Sequence, residues 1–385
     1  MREFWHSLVE FFVSLKLTVV LLALSIILVF WATLAQVQLG VWGVQEHFFR
    51  TFFVLGKIPG TQIPVPLFPG GYFIGTLLLL NLLTAHISRF KLTWRKSGIQ
   101  LTHAGLILLL VGELLSGLWQ EEYQMRLDEG QTKNYSESYR DSELAIIDTT
   151  NPDYDDVVAV PDRLLARLVE VQNPKLPFRV VVRDYFPNAS LQMRNQMPDA
   201  PATPATVGIG PSVVATPLPL TYKQDERNLA AAFVELIGPE GSLGTWLVST
   251  QVTRPQSFDY AGRTFALSLR FARNYKPFSL QLLDFRHDVY AGTAIPKNFS
   301  SRIKLMTPDG REDREVLIYM NNPLRYAGLT FYQASYVGDH TTILQVVHNP
   351  SWMLPYVSCV MMMLGLLIQF GISLFRFSAN RRAAA

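Results

Sequence analysis

The chain has 385 residues, 49% hydrophobic and 17% charged, with a formal net charge of +3 and a mean hydropathy of +0.17. It is too apolar for one water-soluble domain and too mixed for a protein lying wholly in a bilayer, and no cluster of Arg and Lys interleaved with aromatics points to nucleic acid as a partner. The single cysteine, Cys359, lies in an apolar run, which excludes an intrachain disulfide, a CxxC redox centre and a thiolate zinc site.

In chain order, residues 1–16 place Phe4, Leu8, Phe11 and Leu15 on one helical face, as in an amphipathic helix at a membrane interface. Residues 17–35 carry no charge and are long enough to span, and they lack the small-residue cleavage pattern of a signal peptide. Residues 36–68 read as a loop with an aromatic interfacial helix over 41–55, which contains His47, followed by a Pro-rich stretch that cannot continue a helix. Residues 69–88 form a second span, ending near His86. A basic knot follows at 89–97, with Arg89, Lys91, Arg95 and Lys96. The longer segment between the first two spans carries only Arg50 and Lys57, so the positive-inside rule puts the short loop and both termini in the cytoplasm and residues 36–68 and 120–350 outside.

Residues 98–119 are the third span, and they keep a histidine and a glutamate at membrane depth. His103 lies seven residues past Lys96, roughly 10 Å along a helix. Ionisable groups at that depth face a partner, a cavity or a cofactor; the plainer alternative is a neutral imidazole bonded to a neighbouring helix. Glu113 stands ten residues further on, roughly 15 Å toward the other face, too far to act on the same ligand atom.

Residues 120–350 alternate in short segments (FRVVVRDYF, TFALSLRFA, SRIKLMT, EVLIYM, LTFYQASY, TILQVVH), each bounded by Pro, Gly, Asn or Asp. The expected fold class is a membrane protein with four transmembrane helices and a large extracytoplasmic β-rich domain of antiparallel, sandwich-like sheets. The Pro-, Ala- and Thr-rich run at 197–220 reads as a linker or an extended surface loop that divides the region into two lobes. Residues 351–375 make the fourth span, and Arg376, Arg381 and Arg382 mark a cytoplasmic tail over 376–385. His287, His340 and His348 are scattered through strand-like segments, as surface or packing residues would be.

Several stretches resemble the ResB family, also called CcsB. They are FFVSLKLTVVLLALSIILVFWATLAQ in the first span, THAGLILLLVGELLSGLW with EEYQMRLDEGQ in the third span and its exit, and DFRHDVYAGTAIPKNFSSRIKL and NNPLRYAGLTFYQASY in the β-rich region. The resemblance implies System II cytochrome c biogenesis in a bacterial plasma membrane. With a ResC/CcsA-type membrane partner, the protein would carry haem b across the bilayer and support its covalent attachment to CxxCH of apocytochrome c. Thiol-reducing proteins would act in the same pathway, and the chain would be a subunit of a haem-transporting synthase rather than catalytic alone. His103 is similar to the family's membrane histidine, an axial haem ligand, and His86 at similar depth is a second candidate. Arg89, Lys91, Arg95 and Lys96 are suited to haem propionates. Asn322, Pro323, Gly328, Phe331, Tyr332 and Gln333 match a family signature that also suits a β-hairpin. Two alternatives stand beside this reading: a b-type haem electron-transfer subunit with His86 and His103 as ligands, and a haem-free membrane scaffold.

Overall fold

A computed structural model describes residues 2–58, 61, 63–90, 93–223, 226–292 and 296–384. Helix α1 (Arg2–Val13) leaves Phe4, Trp5 and Phe11 exposed. Ser14, in extended conformation, separates it from α2 (Leu15–Val44). Helix α2 runs well past residue 35, because nothing in AQVQL stops it. At Gly40 it kinks with φ +72°, and a Cβ there would lie 2.5 Å from the Tyr222 carbonyl oxygen, so both the backbone angle and the close approach require glycine. A π-turn (Gln45–Phe49) continues the helix, so the aromatic segment expected as a separate interfacial helix is largely an extension of α2.

The Pro-rich stretch is likewise not irregular. It forms an antiparallel hairpin of β1 (Phe53–Lys57) and β2 (Pro64–Pro69), where Pro64, Pro66 and Pro69 are tolerated because β2 is an edge strand. Helices α3 (Gly71–Ser88) and α4 (Ser97–Trp119) follow, with a 3₁₀ turn at Trp94–Lys96 leading into α4.

The β-rich region comprises β3 (Glu121–Asp128), β4 (Thr132–Asp148), β5 (Asp156–Pro161), a single helical turn α5 (Asp162–Leu165), β6 (Glu170–Val171), β7 (Arg179–Phe186), β8 (Ala189–Met193), β9 (Val213–Pro217), β10 (Ala231–Gly238), β11 (Gly241–Ser249), β12 (Gln256–Tyr260), β13 (Arg263–Val289), β14 (Pro296–Met306), β15 (Asp313–Tyr319), β16 (Leu324–Tyr326), β17 (Leu329–Val337) and β18 (Thr341–His348). One sheet runs β15-β14-β13-β4-β3-β18-β17-β16, with β5 paired to β4 and β12 to β13, and a second runs β11-β10-β7-β6.

These sheets enclose two cores. In the first, Leu144, Ile146, Phe265, Leu267 and Leu269 of the large sheet pack on Val180, Val182, Val234, Leu236 and Val248 of the small one, as in a sandwich. In the second, the large sheet curls around Leu127, Leu280, Leu282, Ile303, Leu305, Phe331 and Leu344, and a bridge between Tyr319 and Asn322 brings β15 toward the strand that begins at Leu324.

Strand β13 contributes to both cores, whereas β4, paired along it, gives Leu144 and Ile146 to the first. The change of core coincides with a break in their register, where β13 advances from Tyr275 to Leu280 while β4 moves only from Tyr135 to Lys133. The run 197–220 does not divide the region as expected. It contains β9, paired with β8, and it buries Ala205 and Val213 against Phe233 and Leu247, because its small apolar residues fill a core that its composition conceals.

Helix α6 (Leu354–Ala384) closes the chain and extends beyond the expected end at 375. Among the described residues four helices are long and apolar enough to cross a membrane: Leu15–Phe49, Gly71–Ser88, Trp94–Trp119 and Leu354–Asn380. Two fastenings organise them. Gly98, Gly105 and Gly112 of α4 are buried against α6, where the absence of side chains lets the backbones approach. Buried Asn81 of α3 donates to the Phe12 carbonyl at 2.6 Å and the Ser14 carbonyl at 3.3 Å and accepts from the Thr18 hydroxyl at 2.7 Å, tying α1, α2 and α3 at one point.

Candidate functional site

The short connection between α3 and α4 makes them antiparallel neighbours, so His86 near the end of one and His103 two turns into the other fall at similar height. The two imidazoles face each other, with ring centroids 6.2 Å apart and planes at 66°. Phe90 packs edge-on to His86 at 5.6 Å. The His86 Nδ1 atom is buried with no hydrogen-bond partner, while the His103 side chain is exposed on the helix bundle. The plainer alternative for either residue, an imidazole satisfied by a neighbouring helix, therefore finds no support at His86 Nδ1.

A pair of imidazoles can share one metal ion. At this separation both imidazoles would be within reach of one iron, and the unsatisfied nitrogen of His86 is the kind of atom a ligand completes. The donor set fits haem iron, for which imidazole is a common axial ligand.

The basic residues around this end are arranged unequally. Arg89 donates from Nη2 to the Val13 carbonyl at 3.1 Å and so closes the end of α1. Arg95 and Lys96 lie in the exposed 3₁₀ turn that leads into α4. Lys91 lies outside the described residues. Glu113 is exposed on α4, ten residues beyond His103.

The remaining histidines lie elsewhere. His47 packs edge-on to Tyr222 at 6.0 Å. His287 approaches Asp339 at 3.4 Å and the Tyr336 ring at 4.8 Å, and His340 bonds Glu129 at 2.7 Å. The Phe285 backbone N–H and the His340 side chain hold the Glu129 carboxyl below the usual carboxylate range. No group of three or more His, Cys, Asp or Glu among the described residues is arranged to hold a metal.

The hairpin signature is built into the second core. Leu324 and Phe331 are buried, and Gln333 accepts from the Ser301 hydroxyl at 2.6 Å while donating to the Thr342 hydroxyl at 2.9 Å. Sequence reasoning missed Asn81. Its one signal is a carboxamide in an otherwise apolar span, which is the usual mark of an interhelical hydrogen bond.

The fold and this site define a membrane protein with four apolar helices, a pair of neighbouring imidazoles on two of them, and a large antiparallel β region. Residues 240–343, which cover β11 to the start of β18, match the model of the ResB-like family. It is also similar to Protein NrfI of Wolinella succinogenes, with 37% identity over 92 residues; the match covers 24% of this chain and 10% of that protein. The family segment contains neither His86 nor His103, so the geometry of the pair stands on its own.

Proposed function

We propose that this protein acts in cytochrome c biogenesis and takes haem as its cargo within the membrane, with His86 and His103 as the two axial ligands. The imidazole pair at 6.2 Å, one of its nitrogens buried and unsatisfied, carries this reading. The match of residues 240–343 to the ResB-like family supports the pathway. The basic residues of the short α3–α4 connection support its position on the cytoplasmic side, which puts the β region outside. Arg95 and Lys96, free of the engagement that ties Arg89 to α1, are the cations suited to the haem propionates.

Haem held by two imidazoles would keep no free coordination site, so this chain would receive and retain it without presenting its iron to an acceptor. Delivery to CxxCH of an apocytochrome c therefore requires a second membrane protein of ResC/CcsA type. The same pair would also suit a permanent b-type haem in electron transfer, and reversible reduction of the isolated chain by quinol would favour that second reading.

The test is to purify the chain with its membrane partner and measure bound haem as pyridine haemochrome. His103→Ala and His86→Ala should each lower haem content and cytochrome c maturation, and added imidazole should restore part of the loss. Haem content equal to wild type in both variants removes the assignment, and loss in His103→Ala alone removes His86 from it.

A further inference from the structure

The β1–β2 hairpin presents a surface that the helices do not cover. On its inner face Val54 and Phe68 are paired and pack on Trp31 and Phe48. The opposite face carries Phe53, Leu55 and Lys57 directly across from Pro69, Pro66 and Pro64. Phe53 is 44% exposed and Leu55 60%, and toward the tip the other face also leaves Leu67, beside Gly56, 57% exposed together with Ile58 and Ile63. Between Thr51 and Gly71 there is one charged residue, Lys57, and no acid. A hairpin apolar on both faces is a liability in water.

Three features select the occupant. The base of the hairpin is fastened to the first turn of α3: the Gly70 N–H donates to the Phe52 carbonyl at 2.8 Å, the Tyr72 N–H to the Thr51 carbonyl at 3.2 Å, and the rings of Phe53 and Phe73 lie 5.4 Å apart. The exposed face is thus continuous with the surface that membrane-crossing helices turn to lipid. Pro64, Pro66 and Pro69 remove backbone donors from β2, so another protein strand cannot extend the sheet along that edge. Apolar and aromatic side chains beside a single lysine are the composition that binds the boundary between headgroups and acyl chains.

We propose that the β1–β2 hairpin is an interfacial lipid anchor, with Phe53 and Leu55 of one face and Leu67 of the other in the upper acyl region and Lys57 among the phosphates of the leaflet where α2 ends and α3 begins. It fixes the depth of those helix ends.

The test uses the full chain with Cys359→Ser, carrying a single cysteine in place of Leu55 or Ile63, labelled with an environment-sensitive fluorophore and placed in nanodiscs of phosphatidylcholine and phosphatidylglycerol. Phe30→Cys on α2 is the lipid-facing control and Glu240→Cys, in the β10–β11 turn, the aqueous one. The probes at 55 and 63 should emit to the blue of the Glu240 probe, with an iodide quenching constant several-fold lower. Lipids brominated near the carbonyl end of the chain should quench them more than lipids brominated near the terminal methyl. Emission and iodide quenching equal to those of the Glu240 probe overturn the proposal, since the face is then in water or awaits a protein absent from the disc. Strongest quenching from the methyl end also overturns it. If Leu55→Cys fails to accumulate, Lys57→Cys on the same face reports instead.

Discussion

The seam between α4 and α6 makes a prediction in which one chemical change has opposite signs at different positions. A Cβ on Gly98 would lie 2.6 Å from both the Gln369 nitrogen and the Gly365 oxygen, and one on Gly105 would lie 2.9 Å from the Ser358 oxygen and 3.0 Å from the Met362 nitrogen. These are backbone atoms that cannot rotate aside, so an alanine at either site parts the helices by a good fraction of an ångström. A gap of about 0.5–1 Å forfeits roughly a quarter to a half of each dispersion contact, and overpacking a tight interior costs about 1–3 kcal/mol. Alanine regains about 1 kcal/mol of helix propensity over glycine. Gly105→Ala should therefore destabilise by about 1–2 kcal/mol and Gly98→Ala by more. At Gly75 and Gly117 nothing lies within 4 Å of an added Cβ, and the same change should be neutral or stabilising. Thermal unfolding of the purified full chain in detergent, followed by the loss of helical circular dichroism, reads the difference. A Gly98→Ala protein at least as stable as Gly75→Ala refutes the close backbone packing.

Asn81→Leu removes two donated bonds and one accepted bond at the meeting of α1, α2 and α3 and should cost about 1–2 kcal/mol; faster hydrogen exchange in α1 checks it, and unchanged α1 amides contradict it. Phe331→Ala, at 0% exposure in the second β core, should cost about 3–5 kcal/mol, whereas Tyr332→Ala beside it should stay within about 0.5 kcal/mol, and comparing their unfolding midpoints separates the two. The Glu129 carboxyl is held below its ordinary value, so its bonds to the Phe285 N–H and to His340 contribute stability that is present above that ordinary value and lost as pH falls through the lowered one. Exchange of the Phe285 amide should accelerate across that acid window in wild type and lose the dependence in Glu129→Gln; an identical profile in both proteins removes the linkage.

The four helices were legible because apolar runs of membrane length have few other uses, and His86 and His103 were legible as a pair at similar depth because a short loop between two spans makes them antiparallel neighbours. Their facing geometry was not, since it depends on helix rotation. The seven-residue spacing of Gly98, Gly105 and Gly112 stood in the sequence, but spacing alone does not name the helix that uses it. Proline misled twice. Around Pro64 and Pro66 it suggested a loop, where an edge strand accepts it, and over 197–220 the Pro-, Ala- and Thr-rich composition suggested a linker, where Ala205 and Val213 are core. Of strand β13 only TFALSLRFA reads as strand-like, because its register breaks interrupt the period-two pattern that a strand otherwise shows. The turn at Ala327 and Gly328 was readable as a hairpin, and both residues take the positive φ that such turns demand.

The two fastenings have a joint consequence for the imidazole pair. His86 belongs to α3, which Asn81 and Arg89 tie to α1 and α2, whereas His103 belongs to α4, which the glycine seam ties to α6. The gap between the rings lies between two separately anchored sets of helices, so its width is set by residues that never touch a ligand. Haem held by both imidazoles, as proposed, would tolerate little error in that width. Loosening either anchor should therefore weaken haem retention although both histidines remain: Asn81→Leu through α3, and Gly105→Ala through α4. Phe331→Ala, which destabilises the β region at least as much, should leave haem retention per folded molecule unchanged. The measurement is the rate of haem loss to a scavenging apoprotein from the purified complex with its membrane partner. Equal loss rates in wild type, Asn81→Leu and Gly105→Ala would mean that the pair is not held by these helices and that a ligand from another chain fixes the haem.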